Sequence, residues 1–535
     1  MMKTGMKYFL ALVSLCVVLA GCAPKANPPA AEGNSKGQNE TSGQAAGGSG
    51  TLTVAFSEGG TTLDPAEASD LTSDTFVIAA YDQLVTYGVK NVDGADVADT
   101  DNIKPMLAKE WEVSDDQLTY TFKLQEGVKF HSGNPLTAKS VVYTFDRVKN
   151  SNSGSFLYGM ADIKSVTALD DSTVQMVLNK PNHMFLQIIA LYNFSIVDDV
   201  AMEGKPADFL NTNTAGSGPF LLEKWDPASE AVLTANKDYW QGAPKLDKVT
   251  LKFTKEASNR VMLLDKGDID MAIEIPPKDV ASLEANSALA VKSNASNRIL
   301  YLALNNKVKP FDNVKVRQAM AYAVPYDQLI NDVMHGQAKI MKSSVASNTP
   351  GFTDKGYVYE HNLEKAKQLL AEAGYPDGFT FDLTLGSGFQ DWEDDAVLIQ
   401  AELAKIGVTM NINKVARAQF LEMQKQKNLT AYISKWTSFV NDPSYHLGFL
   451  MYSKGSSNYH NYSNAEVDKL WEQANLEPDL DKRNELYAKA QEIITTESPW
   501  LYLYEYNRIV GMNSKVSGYV YYPDEVIRFY PLSKN

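Results

Sequence analysis

Residues 107–143 contain four closely spaced segments, LAKEWEVSDD (107–116), LTYTFKL (118–124), GVKFHSG (127–133) and LTAKSVVY (136–143). The second segment alternates apolar and polar residues, which predicts a β-strand with one face in a core. Gly127 and Gly133 favour turns around the third segment. Thr137 is a predicted N-cap for a helix that carries Val141 and Phe145. The stretch therefore predicts scaffold rather than a ligand-contact surface.

Beyond this stretch, strand and helix patterns mix along the whole chain. Alternating runs predict strands at 51–56, 174–178 and 249–253. Asn362 is a predicted N-cap for a helix that ends near Gly374. Residues 463–466 have the pattern of a capping box before another helix. With 535 residues, several times a typical domain, the chain is predicted to be an α/β protein with more than one lobe.

The composition excludes several classes of protein. The net charge is -15, and an acidic surface repels phosphate backbones, so we expect no nucleic-acid partner. The only two cysteines are Cys16 and Cys22, near the N-terminus. A body without further cysteines has no disulfide, no thiolate metal site and no cysteine nucleophile.

The first 50 residues have the features of an export signal followed by a flexible tether. Lys3 and Lys7 flank the start of an apolar run that reaches Ala20, which is typical of a signal peptide over residues 1–21. The run ends in Leu-Ala-Gly-Cys22, which resembles the bacterial lipobox, where the cysteine is lipidated after cleavage. Residues 22–50 then form a predicted flexible tether, because their small polar composition cannot bury a core. These features predict a body anchored by lipid to the outer face of a membrane.

Motifs of common enzyme classes are missing from the chain. It contains no His-Glu-x-x-His, no Gly-x-Ser-x-Gly, no P-loop and no Gly-x-Gly-x-x-Gly. The acidic residues between Asp93 and Asp101 lack the spacing of an EF-hand and favour a solvated acidic loop. We therefore expect no catalytic activity, no cofactor and no bound metal. A carboxylate pair assembled in space leaves no motif, so a secreted hydrolase is an alternative.

The ordered segments of the body resemble solute-binding protein family 5, the oligopeptide-, dipeptide- and nickel-binding receptors of ABC importers. The resemblance rests first on residues 107–143 and spans roughly residues 51–530. Further matching segments are Thr62–Pro65, Gly216–Phe220, Asn236–Trp240, Leu304–Asn305, Pro310–Phe311 and Val314–Ala323.

The resemblance implies a two-lobed fold like that of periplasmic binding proteins, with a hinge. The first lobe would comprise residues 51–298 and 505–535, with an inserted subdomain at about 86–210. The second lobe would comprise residues 299–504. The implied function is the capture of a peptide-like or other small solute between the lobes and its delivery to a membrane permease. The implied partners are the ligand and the permease subunits, and we expect a monomer. A signalling receptor of the same fold is a second alternative.

The segment Trp436–Pro443 resembles a Trp-x-x-Asp-x-x-Asp-Pro pattern of peptide-binding relatives, whose first Asp pairs with the peptide ammonium. Here Phe439 takes that place, and a buried ammonium without a counter-ion is costly. Ile433 stands where oligopeptide-binding relatives have a carboxylate-pairing Arg. Asp442 has two readings, as a ligand contact or as a residue that orders the turn before Pro443. Recognition of peptides by free termini is therefore not expected.

The predicted ligand contacts lie in this segment, in the aromatic-rich second half and after the first strand. Aromatic side chains in a cleft suit an oligosaccharide, a conjugated amino acid or an apolar side chain. His446 and His460 leave a metal-chelate ligand as a further alternative. The residues predicted to contact ligand are Glu58, Gly59, Tyr432, Trp436, Thr437, Ser438, Phe439, Asp442 and Tyr459.

Overall fold

The computed structural model describes residues 50–535, and the predicted signal peptide, Cys22 and most of the tether lie outside the described residues. The fold is mixed α/β, as the sequence predicts. The strands, in chain order, are β1 (Thr51–Phe56), β2 (Val85–Val92), β3 (Ala95–Pro105), β4 (Ala108–Val113), β5 (Thr119–Leu124), β6 (Ile163–Ala168), β7 (Thr173–Leu178), β8 (Phe220–Asp226), β9 (Glu230–Ala235), β10 (Lys248–Phe253), β11 (Met271–Ile273), β12 (Leu289–Leu304), β13 (Ala338–Ile340), β14 (Thr380–Gly386), β15 (Thr409–Val415), β16 (Ala431–Thr437), β17 (Trp500–Asn513), β18 (Val516–Ser517) and β19 (Ser533–Lys534).

Helices pack on the sheets and lie between most of the strands. The α-helices are α1 (Leu71–Ala80), α2 (Ala138–Asn150), α3 (Ser155–Met160), α4 (Phe185–Ile189), α5 (Ala257–Lys266), α6 (Val280–Glu284), α7 (Val314–Tyr322), α8 (Tyr326–Gln328), α9 (Leu363–Glu372), α10 (Gln390–Ala404), α11 (Arg417–Lys425), α12 (Pro443–His446), α13 (Ala465–Leu476) and α14 (Leu480–Glu497). Single turns of 3-10 or π-helix occupy Tyr192–Phe194, Phe209–Asn211, Pro277–Asp279, Leu329–Val333 and Leu447–Met451.

One large sheet runs through most of the body, in the order β15-β14-β16-β12-β17-β11-β1-β10-β9-β8, with β13 on β17. Strands β1, β10 and β11 are mutually parallel, and so are β14, β15 and β16. The long strands β12 and β17 are antiparallel to each other and join these two groups. β12 and β17 therefore carry the chain twice between two halves of the sheet.

Residues 107–178 build a separate four-stranded sheet in the order β4-β5-β7-β6. Tyr120, Phe122 and Leu124 of β5 are buried, as their alternation predicts, and α2 covers the sheet with Val141 and Phe145. This core is apolar, and it also receives Val440 and Tyr445 from the second half of the chain. The segments on which the family resemblance rests are therefore scaffold.

Several local predictions are confirmed and two are wrong. Asn362 caps α9, where its side chain accepts a hydrogen bond from the backbone N–H of Lys365. At α13 the N-cap is Asn464, not Ser463, because the Asn464 side chain accepts from the N–H groups of Glu466 and Val467. The acidic residues of 93–101 lie at the turn and along β3 of a hairpin formed by β2 and β3, so this segment is not a loop throughout.

Two buried clusters lie on opposite faces of the second half of the sheet. One face carries Leu300, Ile433 and Tyr504 under α7, α9 and α10. The other face carries Tyr301, Tyr432 and Trp500 under α13 and α14. Both faces of these strands are apolar, as expected for strands covered on both sides. None of the helices within residues 50–535 is long and apolar enough to cross a membrane.

Candidate ligand-binding cleft

The carboxyl ends of the two parallel strand groups point toward each other along β12. β11 ends at Ile273, opposite Val510 of β17, and Val510 pairs with Lys292 of β12. From the other half, β16 ends at Thr437, opposite Arg298 of β12. The two sets of strand ends are therefore about 20 Å apart along β12. Ligands of open α/β sheets bind beyond the carboxyl ends of the strands, so this gap is the candidate site.

A cavity of about 860 Å³ lies in this gap. One wall is Glu274–Lys278, which directly follows β11, together with Arg508 and Ile509 from the second half of β17. The opposite wall includes Gly388–Asp391, from the turn between β14 and α10. Arg298 and Tyr506, from the two long strands, line it between these walls. The volume is that of a pocket for a small solute.

The arginine side chains at and behind the first wall lie next to glutamate side chains. Glu525 pairs with Arg298 and lies 3.6 Å from a guanidinium nitrogen of Arg508. Glu274 lies 3.7 Å from Arg260, whose side chain is buried. Arg260, Arg298 and Arg508 therefore each have a carboxylate neighbour, which offsets much of the cost of removing their charges from water.

Beside the second wall, two cations that do not themselves line the cavity lie around an aromatic pair. The rings of Phe389 and Trp392 stack with centroids 4.1 Å apart. The guanidinium carbon of Arg417 lies 5.1 Å from the Phe389 centroid and 5.6 Å from that of Trp392. The ammonium of Lys435 lies 4.9 Å from the same Phe389 centroid. These are cation–π distances, and they hold both cations beside the turn after β14.

Burial disfavours the charged forms of Lys435 and Arg417. Burial and, secondarily, the charge of Arg298 lower the pKa of Lys435 to about 8. Burial also lowers the pKa of Arg417. Asp391 is close by, and it accepts a hydrogen bond of 2.6 Å from the Tyr506 hydroxyl. A carboxylate placed directly beside Lys435 would stabilise its charged form.

The predicted contacts in the Trp436–Pro443 segment are in several environments. Trp436 is half-buried, with Tyr445 and Phe449 at centroid distances of 5.7 and 5.8 Å. Thr437 ends β16, and Phe439 is 36% exposed. Ser438 is fully buried, and its hydroxyl donates to the Val440 carbonyl at 2.6 Å. Trp436, Thr437 and Phe439 thus retain surface at the strand end, whereas Ser438 supports the loop.

Asp442 is occupied by a buried ion pair. Both carboxylate oxygens accept hydrogen bonds of 2.7 Å from Arg483 of α14. The carboxylate also accepts from the Ser444 N–H at 2.8 Å and caps α12. Burial opposes ionisation of Asp442, but Arg483 and Ser444 hold its pKa below the ordinary value. Of the two readings of this residue, the structure shows the one in which it orders the turn.

The remaining predicted contacts lie in the core or beside the first strand. Tyr432 is 1% exposed within an apolar cluster against which Tyr459 is partly packed, so Tyr432 offers no surface in this conformation. Glu58 is exposed after β1. Gly59 is buried, and a Cβ atom there would lie 2.1 Å from the Pro227 carbonyl oxygen, so the turn requires glycine.

The two histidines considered for a metal chelate are both in the core. His446 is 0% exposed, and burial lowers its pKa to about 3. His460 is 1% exposed, and its Nε2 accepts a hydrogen bond of 3.0 Å from Trp500. Within residues 50–535, no three His, Cys, Asp or Glu side chains are placed to hold a metal ion. The structure gives the chelate alternative no support at these residues.

The sequence interpretation missed the second wall. Phe389, Arg417 and Lys435 are far apart in the chain, and no motif connects them. One signal was available, since Gly386 and Gly388 interrupt the chain between a predictable strand and a predictable helix. Such turns at carboxyl ends of parallel strands are where ligands bind.

Comparison with known proteins identifies the family. The family described as bacterial extracellular solute-binding proteins, family 5 Middle, matches residues 102–458. The chain belongs to this family. It is therefore an extracellular solute-binding protein by family, as the sequence resemblance predicts.

Curated relatives match nearly the whole chain. The probable D,D-dipeptide-binding periplasmic protein DdpA of Escherichia coli K12 is 31% identical over 483 residues, which is 88% of this chain and 92% of that protein. Heme-binding protein A of Haemophilus influenzae is 32% identical over 461 residues, 81% of this chain and 84% of that protein. Relatives of this family 5 protein are thus named for chemically different ligands.

A solved structure confirms the fold. HbpA2 from Haemophilus parasuis superposes with a TM-score of 0.81 at 28% identity, covering 91% of this chain and all of that one. The family 5 protein therefore has the periplasmic-binding-protein fold that the sequence predicts.

Proposed function

We propose that this family 5 protein is the substrate-binding component of an ABC importer, anchored by lipid at Cys22 to the outer face of a membrane. It captures a small solute in the cleft and delivers it to permease subunits, as a monomer and without catalysis. The observation that carries the proposal is the cavity of about 860 Å³ between strand ends of two halves joined by β12 and β17.

The division into lobes follows from those two strands. The proposed boundaries, 298/299 and 504/505, fall within β12 and β17, where Ile299 pairs with Glu505. The pairing of β12 with β17 shifts register between Ala295 and Ile299, so the ladder is interrupted at this level. An interrupted two-strand crossing is a natural place for a hinge, because few backbone bonds must change when the halves rotate. Residues 51–298 with 505–535 would then close against residues 299–504.

The ligand is proposed to be peptide-like or another small solute without a free α-ammonium at the Trp436 end. Phe439 offers an apolar surface there, and Asp442 already pairs with Arg483. An ammonium at this point would have no counter-ion from either residue. Oligosaccharides and conjugated amino acids meet this requirement. Glu58, Trp436, Thr437, Phe439 and Tyr459 are the proposed contacts that keep exposed surface, although none of them lines the cavity itself.

Binding and closure test the receptor function directly. Mass spectrometry of the mildly purified protein would identify a solute carried through purification, and calorimetry would then measure its affinity. Small-angle scattering should show a more compact molecule at saturation, because closure buries the cleft. No compaction with a bound solute would contradict a hinge receptor. Loss of uptake of that solute on deletion of the gene would separate transport from signalling.

The anchor has its own test. Cys22→Ala should release the protein from the membrane fraction while leaving its unfolding transition unchanged, since Cys22 precedes the folded body. Cys16→Ala is the matched control, because that residue belongs to the proposed signal peptide. Lipid on the Cys22→Ala variant, detected by intact-mass measurement, would refute the attachment site.

A further inference from the structure

A second cavity, of about 430 Å³, lies where the hairpin of β2 and β3 faces the first half of β12. It shares no lining residue with the cavity of the cleft. Its walls include Val97 of the hairpin, Asn294 and Asn297 of β12, Tyr521 near the C-terminus and Asn441 of the loop after β16. The volume is that of a pocket for a small solute.

The amide of Asn294 lines this cavity and is unpaired. Asn294 is 6% exposed, and its Oδ1 is buried without a hydrogen-bond partner among residues 50–535. Its Nδ2 donates to no other residue in that range. Burying an amide without partners is costly, and a ligand that offers both a donor and an acceptor relieves this cost.

Two further groups in the cavity have unused hydrogen-bonding capacity. Asn297 is 1% exposed, and its Nδ2 donates to the Ser438 carbonyl at 3.3 Å and to Asn441 Oδ1 at 3.2 Å. Its Oδ1, however, has no partner in the described part of the chain. The Tyr521 hydroxyl accepts from the Asn297 N–H at 3.3 Å, which leaves its own proton to donate. The cavity therefore combines uncharged donors with uncharged acceptors.

The charged residues around the cavity do not supply a counter-ion to its interior. Lys90 pairs with Asp99 at 2.9 Å, and Asp93 is exposed at the turn between β2 and β3. The buried residues Ala98 and Pro523 add apolar surface to the walls. A charged solute would lose its hydration here without gaining an opposite charge. The lining thus favours a neutral solute with an apolar body and one hydrogen-bonding edge.

The geometry of an amide narrows the chemistry of that edge. A primary carboxamide or a lactam carries an N–H and a C=O on the same edge, so it can form two parallel hydrogen bonds with the side-chain amide of an asparagine. A trans peptide bond has these groups on opposite sides and can form only one. The unpaired amide of Asn294 is therefore best matched by a carboxamide or a lactam.

We propose that this cavity is an accessory binding site for a neutral solute with a carboxamide or lactam edge, paired with the amide of Asn294. Asn297 Oδ1 and the Tyr521 hydroxyl offer additional contacts to the polar edge, and the apolar walls enclose the rest of the solute. The site is separate from the cleft, and the inference goes beyond the capture of a transported solute.

An occupant of this site touches both sides of the proposed lobe boundary. Asn441 Nδ2 donates to Thr100 Oγ1 at 3.2 Å, and Asn348 Nδ2 donates to the Ala295 carbonyl at 3.4 Å. Both contacts cross from residues 51–298 to residues 299–504. Binding between these walls should therefore favour the conformation in which the contacts are formed. This consequence, unlike the site itself, rests on the proposed division into lobes.

The experiment compares a lactam with an analogue that lacks the donor. Ligand-observed saturation-transfer NMR on the full chain would measure the affinities of 2-piperidone and N-methyl-2-piperidone. The wild type should bind 2-piperidone more tightly by about tenfold, the value of a matched hydrogen-bonded edge. Asn294→Leu should abolish this preference. Asn411→Leu is the matched control, because Asn411 is exposed on β15 and bonds only Asp382.

A charge switch at the same position tests the pairing rather than the shape of the cavity. Asn294→Asp replaces the amide donor by a second acceptor. This variant should prefer 2-iminopiperidine, a cation with two donors on one edge, to 2-piperidone, whereas the wild type should show the opposite order. An unchanged order in a folded Asn294→Asp variant would contradict pairing through residue 294.

The remaining outcomes separate the site from its effect on the hinge. Failure of the wild type to bind 2-piperidone would show that the cavity holds water only and would overturn the site. Equal binding of the two lactams, or a preference unchanged in Asn294→Leu, would also overturn it. Small-angle scattering with saturating 2-piperidone should show a changed radius of gyration in the wild type and none in Asn294→Leu. No change in the wild type would overturn the coupling to the hinge. Circular dichroism would confirm that each variant is folded.

Discussion

Two regions of the second half of the chain hold cations that are partly or fully shielded from water, and the two regions differ in how those cations are paired. At the turn before α12, Arg483 donates to both oxygens of Asp442. Around Phe389, Lys435 and Arg417 face aromatic rings and have no carboxylate within 4.0 Å among the described residues. The first arrangement is complete in the protein alone. The second has no carboxylate partner among the described residues, so we expect removal of its cations to cost little stability.

The largest expected effect comes from breaking the complete pair. Arg483→Met should lower the free energy of unfolding by roughly 3–5 kcal/mol, because it leaves the Asp442 carboxylate buried without a partner. Urea denaturation followed by circular dichroism would measure this. The double variant Arg483→Met/Asp442→Asn should recover part of the loss. Lys123→Met, which removes an exposed partner of Glu110, should leave stability unchanged. A loss as small as that of Lys123→Met would show that the pair is not structural.

A buried carboxyl group at the crossing of β12 and β17, Glu505, has no salt-bridge partner among residues 50–535 and tests the same distinction through pH. Glu505 is 2% exposed and accepts two hydrogen bonds from Ser347, of 3.0 and 2.5 Å. Burial, only partly offset by Ser347 and Lys339, raises its pKa from 4.5 to about 7. The folded protein therefore holds this proton at higher pH than the unfolded chain does. Its contribution to stability is present at low pH and is lost as pH rises through about 7.

Glu505→Gln should remove that part of the pH dependence. The free energy of unfolding of the wild type should fall relative to this variant by on the order of 1–3 kcal/mol between pH 4.5 and 7.5. Denaturation series at several pH values would measure the difference. Parallel pH profiles of the two proteins would show that Glu505 is solvated or paired in solution.

A substitution at Phe439 tests the effect of supplying a carboxylate partner for a peptide ammonium. Phe439→Asp should raise the affinity for alanyl-alanine by on the order of 1–3 kcal/mol, because a carboxylate there can pair with the peptide ammonium. Calorimetry would measure the gain, and Phe439→Asn is the matched control without charge. Submicromolar binding of several simple peptides by the unmodified protein would show that another residue already supplies the counter-charge.

The smallest stability effect is expected at the incomplete cluster. Because the folded state lowers the pKa of Lys435 to about 8, the unfolded chain binds more protons above that pH. The free energy of unfolding should therefore rise between pH 7.5 and 9.5 in the wild type. Lys435→Met should remove this rise and should not destabilise the protein at pH 7. Destabilisation comparable to that of Arg483→Met would place Lys435 among the structural cations.

Much of the architecture was predictable because the signals are local. The alternation of Leu118–Leu124 predicts a strand buried on one face, and Asn362 predicts the start of α9. The asparagine at 464 displaced the predicted serine cap because both residue types suit that position and only the backbone path decides which side chain reaches the free N–H groups. The family resemblance supplied what local signals could not, namely the expectation of two lobes joined by a hinge.

The sequence by itself determined the fold class, the family and the loss of a carboxylate at Phe439, because each is a property of residue type and order. Only the tertiary structure decided that Asp442 is satisfied by Arg483 of another helix. The tertiary structure also decided that Arg417 and Lys435 meet at Phe389. These contacts join residues from separate strands and helices. The interaction energy of two charged groups depends on their distance in space, and the spacing of residues along the chain does not encode that distance.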